Sequence, residues 1–157
     1  MPYFSEQHHI VNALSPVSDF AGSGTATSDI VNLAKYKKVT FILSTGVSTT
    51  ANGTVTVVAG TSVSSATNTV PFKYRTVLAP GTTNVPSDLT QATASGFSMT
   101  ASKADSFYII EVDSEDLAPD YTTCALKVTE VTNDPQIASI IAILSHPRYD
   151  ATQSAIV

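Results

Sequence analysis

The side chains able to do chemistry in this chain fall into a few small groups. His8-His9, with Glu6 just before them, offer two imidazoles and a carboxylate to a metal ion. Adjacent side chains point to opposite faces of a strand and stand about 100° apart on a helix, so a His-His pair rarely closes on one ion. No third ligand follows at a recognisable spacing, and no metal is expected. Glu111, Asp113, Glu115, Asp116 and Asp120 form the densest charge in the chain. Asp113, Glu115 and Asp116 have the oxygen chemistry of a Ca²⁺ site, but the glycine that bends an EF-hand loop is missing. The plainer reading is a solvated turn, in which Asp113 or Ser114 caps one helical turn through Glu115, Asp116 and Leu117 before Pro119 stops it.

The remaining groups are weaker. A Ser–His–Asp set drawn from His146, Asp150 and one of many serines lacks a Gly-x-Ser-x-Gly elbow to mark the nucleophile. Gly22-Ser23-Gly24 has neither the preceding strand nor the following helix of a phosphate loop. Cys124, the sole cysteine, excludes an intrachain disulfide and sits in an alternating run over 122–132, where it reads as a small buried hydrophobe. Glu111 and Glu130 have apolar neighbours and are expected to pair with Lys127, Arg75 or Arg148. No nucleophile, base or ligand set emerges. The sequence therefore predicts a structural or binding protein, not an enzyme, with no cofactor.

The elements that would position a site are β-strands. The 157 residues suit one domain. Hydrophobic residues make up 43% but charged residues only 13%, about half the usual share of ~25%. Ser and Thr fill the difference, and Thr, Val and Ile favour a pleated surface. The net charge of −5 and the scatter of the eight Lys and Arg speak against nucleic acid and anionic membranes as partners. Lys35, Lys37 and Lys38 read as a solvated strand entry. No apolar run approaches the ~20 residues of a membrane helix, and residues 1–6 lack the pattern of a secretory leader.

Residues 1–27, with two prolines, two glycines and no sustained period, read as an extended arm, with a short helical turn conceivable at 5–11. Strands are predicted near 29–33, 39–45, 54–59 (after the Asn52-Gly53 turn), 69–78, 97–99, 105–112, 122–131 and 136–144. On the strand from Asp105 to Val112, Phe107, Ile109 and Glu111 share one face, and Tyr108, Ile110 and Val112 the other. Pro71 marks an edge or a bulge. Residues 79–95 read as a long excursion, and long excursions in compact domains are usually contact surfaces or locally mobile. Some eight strands at this spacing predict an all-β, antiparallel, jelly-roll-like sandwich over 28–149, with 150–157 as a polar tail.

Four stretches carry a resemblance: Pro71-Phe72-Lys73-Tyr74-Arg75, 108–113 (Tyr-Ile-Ile-Glu-Val-Asp), 126–131 (Leu-Lys-Val-Thr-Glu-Val) and 143–149 (Ile-Leu-Ser-His-Pro-Arg-Tyr). With the opening Phe4-Ser5-Glu6-Gln7 and Val17 to Phe20, they resemble small head-structure proteins of tailed phages and prophages, among them capsid decoration and cement proteins. The resemblance spans most of the chain and is weakest over 79–96. It implies a β-sandwich on the capsid surface of a virion assembled in the host cytoplasm, bridging major capsid subunits and neighbouring copies of itself as a homo-oligomer. The contacts expected are Tyr3, Phe4, Val11 and Leu14 on the arm, and Val85 and Leu89 on the excursion. Two alternatives stand beside it. One is a tail, neck or fibre-associated protein. The other is a carbohydrate-binding module, although the chain has no Trp to stack on a sugar.

Overall fold

The computed structural model describes residues 3–20, 22, 24–46, 52–78, 82–100, 105–132 and 135–147. One short helix, α1 (Phe4–Gln7), precedes twelve strands. These are β1 (His9–Val17), β2 (Thr25–Thr27), β3 (Val31–Asn32), β4 (Tyr36–Thr45), β5 (Asn52–Gly60), β6 (Asn68–Val70), β7 (Phe72–Val77), β8 (Thr90–Ala92), β9 (Phe97–Ser98), β10 (Phe107–Asp113), β11 (Thr123–Thr132) and β12 (Ala138–Pro147). They form two antiparallel sheets. Sheet A runs β1-β12-β4-β10-β7-β8 and sheet B runs β2-β11-β5-β6, with β3 also on β11 and β9 also on β5.

The pairing identifies the roll. With β3, β7, β8 and β9 set aside as accessories, eight principal strands remain. The first pairs with the last (β1 with β12), the second with the seventh (β2 with β11), the third with the sixth (β4 with β10) and the fourth with the fifth (β5 with β6). A long antiparallel hairpin wrapped over itself in this way is a jelly roll. The predicted sandwich is the observed one.

Period-two alternation fills the space between the sheets. Val39, Phe41 and Leu43 on β4, Val55 and Val57 on β5, Ile110 on β10, Leu126 and Val128 on β11, and Ile140 and Leu144 on β12 are all fully buried. Each such side chain removed from water is worth about 1.5–3 kcal/mol. Tyr36, Phe72 and Tyr108 add the largest contacts, and Phe97 lies between Phe72, Tyr74 and Tyr108, its ring 4.0 Å from that of Tyr74. At Pro71 the chain passes from sheet B (β6) to sheet A (β7). A residue without an N–H donor fits a position where one ladder ends and another begins.

Several expectations change here. Residues 9–17 are not a free arm: β1 pairs along β12, and Val11 and Ala13 point into the core. Residues 25–27 belong to sheet B, so the β body does not begin at residue 28. The reason is the Val11/Ala13 alternation, which is short and interrupted by bulges between Asn12 and Val17, and so leaves a weak period. The turn after β10 is not helical. Asp113 Oδ1 accepts the Glu115 N–H at 3.0 Å and the Asp113 carbonyl accepts the Asp116 N–H, giving a side-chain-capped turn over which Leu117 is buried. Glu111 pairs with Lys38 at 2.7 Å, because Lys38 lies diagonally across the β4–β10 ladder; Arg75 instead donates to the Ser87 carbonyl. The tail at 150–157 and the start of the excursion at 79–81 lie outside the described residues.

Candidate functional site

The two outer faces of the sandwich differ in chemistry. On sheet A, register places Ile10, Ile143, Thr40 and Glu111 in one row across β1, β12, β4 and β10. The next row is Asn12, Ile141, Ile42 and Ile109, and a third is Ser139, Ser44 and Phe107. These side chains point away from the core, since their strand neighbours Val11, Ala142, Phe41 and Ile110 are buried. Ile10 (51% exposed), Ile141 (41%) and Phe107 (38%) are open to solvent, with Val17 and Ile137 exposed at the rim. On sheet B the corresponding positions hold Thr25, Thr27, Thr54, Thr56, Lys127 and Thr129, with Val58 and Ala125 buried toward one end of β5 and β11 and a single exposed Val131 toward the other. One face is aliphatic. The other carries hydroxyls.

The aliphatic face has a boundary at each end. Toward β7 it turns ionic, through Glu111, Lys38, Lys73 and Arg75. Along the strands it runs between two poles. At the pole where β1 begins and β12 ends, α1 and its N-cap residue carry Phe4 (53% exposed) and Tyr3 (76%) into solvent. The Tyr3 N–H donates to Glu6 Oε2 at 2.7 Å, and the Phe4 ring stacks on His8 at 4.2 Å, which fixes the turn that presents them. At the opposite pole, where Val17 pairs Ala138 and Ala138 pairs Thr45, there is an open groove of about 350 Å³. Pro16, Phe107 and Ile137 line it together with the polar Ser44, Ser139 and Asp105.

The candidates from sequence divide accordingly. Tyr3 and Phe4 are exposed together at one pole. Val85 and Leu89 are exposed on the excursion, which is laid back along β7 by the Ser87 N–H to the Thr76 carbonyl (2.8 Å) and the Thr76 N–H to Ser87 Oγ (2.9 Å). Val11 is only 4% exposed and Leu14 packs against the core, so neither is available to a partner. The residues missed are Ile10, Ile42, Ile109, Ile141 and Ile143. Their signal was present, because 137–144 and 107–112 carry apolar residues at both parities, the mark of a strand covered on both faces.

The groups weighed for catalysis go elsewhere. His9 Nδ1 lies 3.1 Å from the Tyr36 hydroxyl while His8 Nδ1 lies 3.0 Å from the Phe4 carbonyl, so the two imidazoles do not converge. His146 adopts φ +54° near the end of β12, its Nδ1 3.2 Å from Ser145 Oγ. Cys124 is buried in the core, and burial pushes its thiol up to about 12, far from a reactive thiolate. Among the described residues no three His, Cys, Asp or Glu side chains gather as a metal site, and no helix is long and apolar enough to cross a membrane.

Fold and surface thus define an antiparallel jelly-roll sandwich with one apolar outer face. No protein-family model and no curated protein sequence matches the chain. Among solved structures it is similar to the SPBc2 prophage-derived protein YomS, at 12% identity and a TM-score of 0.44, over 88% of this chain and 93% of that one. A likeness that distant assigns no function.

Proposed function

We propose that the protein is a virion structural component of a tailed phage, a decoration or cement protein that lies against major capsid subunits through the aliphatic face of sheet A. The observation carrying this reading is the asymmetry of the sandwich, with Ile10, Ile141, Ile143, Ile42 and Ile109 outside one sheet and threonines outside the other. Apolar side chains grouped on one surface mark a contact site, whereas hydroxyls suit a face left in water. Jelly rolls serve in capsid and lectin domains alike, so the fold is compatible with the reading without fixing it. A shell then multiplies a modest contact into avidity, and binding restricted to the assembled shell stabilises that shell by linkage.

Quantitative mass spectrometry of purified particles tests the proposal. A copy number on the scale of the major capsid protein is expected; that of a single ring would favour a neck or tail role instead. Ile141→Lys, at an exposed position, is expected to weaken binding of the purified chain to heads by at least about tenfold and to change stability by no more than about 0.5 kcal/mol. Binding of Ile141→Lys at wild-type strength would overturn the assignment of this face.

A further inference from the structure

We infer that the groove beside Phe107 is a binding site for one pyranose unit, such as the terminal sugar of a glycan. Its lining combines two chemistries that a sugar ring also combines. Phe107, Pro16 and Ile137 offer exposed apolar surface, while Asp105, Ser44 and Ser139 offer a carboxylate and two hydroxyls. Register sets Ser139, Ser44 and Phe107 side by side on β12, β4 and β10, roughly 5 Å apart from strand to strand. A pyranose has one face of C–H bonds and a rim of O–H groups. The C–H face suits the electron-rich face of an aromatic ring, and the hydroxyls can donate to a carboxylate in charge-assisted hydrogen bonds. The volume of about 350 Å³ is at the small end of the range for ligand pockets, in keeping with one small ring.

The groove is also built in advance. Asp105 adopts φ +53°, a strained conformation kept only where the surroundings enforce it. The next residue supplies the enforcement, because the Ser106 carbonyl accepts both the Thr45 N–H (2.9 Å) and the Thr45 hydroxyl (3.2 Å). Across the groove, the Gly46 N–H donates to the Ile137 carbonyl (2.7 Å), and the buried Gln136 carboxamide donates to the Gly46 carbonyl (3.2 Å). The Asp105 carboxylate makes no hydrogen bond or ion pair among the described residues, so its acceptors are open to a ligand. Other ligand classes fit worse. A wholly apolar ligand would desolvate that carboxylate without a partner. An anion meets Asp105 and no cationic side chain in the described lining, and a metal ion finds a single carboxylate. Contact with one ring implies millimolar affinity, raised by avidity where many copies face a polymer. The sugar contact does not depend on the proposed role on capsids.

Saturation-transfer NMR on the purified full-length chain tests it, with the methyl glycosides of glucose, galactose, mannose, rhamnose and N-acetylglucosamine as probes at tens of millimolar. At least one is expected to receive saturation on its C–H face and to shift the amide signals of Ser44, Phe107 and Ser139. Phe107→Ala should abolish the transfer, and Phe107→Tyr should preserve it. Asp105→Asn, which tolerates the left-handed backbone, should weaken binding by about tenfold. Should Phe107→Ala lose the wild-type β spectrum, Ser44→Arg blocks the same groove and should abolish the transfer in its place. Ile141→Lys, outside the groove, should bind sugar like wild type even where it fails on heads, which separates this site from the capsid contact. Transfer to none of the probes, or transfer undiminished in folded Phe107→Ala or in Asp105→Asn, would overturn the inference.

Discussion

At the scale of single residues, close approach decides what can be changed. Gly96 has φ +78°, and a Cβ there would drive into the Val55 carbonyl and meet Thr56 Cγ2 at 2.8 Å. Gly96→Ala combines left-handed strain with a backbone collision, and chemical denaturation should show a loss of about 2–4 kcal/mol. Cys124 behaves differently. Its ordinary value is 9.0 and its folded value about 12, so the folded state holds the proton where the unfolded chain releases it. This contribution is complete below pH 9 and declines as pH rises toward 12, by about 1.4 kcal/mol per pH unit. Urea titrations above pH 9 should therefore show wild type losing stability faster than Cys124→Ala by that slope. Equal slopes would contradict the burial assigned to the thiol. Sequence alone revealed that Cys124 is inert, from its place in an alternating run. It did not reveal the clash at Gly96, because Val55 is 41 positions away and meets Gly96 only through the β5–β9 ladder.

At the scale of elements, β1 is the decisive case. The first segment resembles a free tether in sequence, because prolines, bulges and polar residues break its period. In the fold, Val11 and Ala13 close one side of the core and the strand covers the β12 edge. Deleting residues 1–20 should therefore strip a strand from sheet A and expose Ile140, Ala142 and Leu144 at a new edge. Several kcal/mol of stability and loss of solubility are expected, measured by thermal melting and light scattering. Deleting residues 1–7 removes only α1 and should leave the melting temperature within a few degrees. The long strands β4, β5, β10, β11 and β12 were legible from the sequence because their runs of Val, Ile, Thr and aromatic residues suit a pleated surface. The three-residue β2 and β8 lie in the segments read as arm and excursion; they are defined by their pairing to β11 and β7, and no local pattern announces them, whereas the short β3 and β9 fall within predicted strands.

At the scale of the whole molecule, the low charge has a measurable result. Among the described residues the ion pair is Lys38–Glu111, with each side chain about 30% exposed, and such a pair is worth at most about 1 kcal/mol. Stability rests on burial, so raising NaCl from low to molar concentration should leave the melting temperature almost unchanged or raise it slightly. A fall of many degrees would place the stabilisation in charges after all. The candidate surface was only partly legible for a reason of the same scale. Which of two apolar parities faces water depends on where the second sheet lies, and that is settled when the hairpin wraps, not along any one strand.

The passage of the chain from β6 to β7 at Pro71 also has a mechanical meaning. The two layers are riveted there by covalent bonds as well as by side-chain contact. A shearing load on one sheet reaches the other through the backbone at once, and the layers cannot glide past each other until one ladder rips.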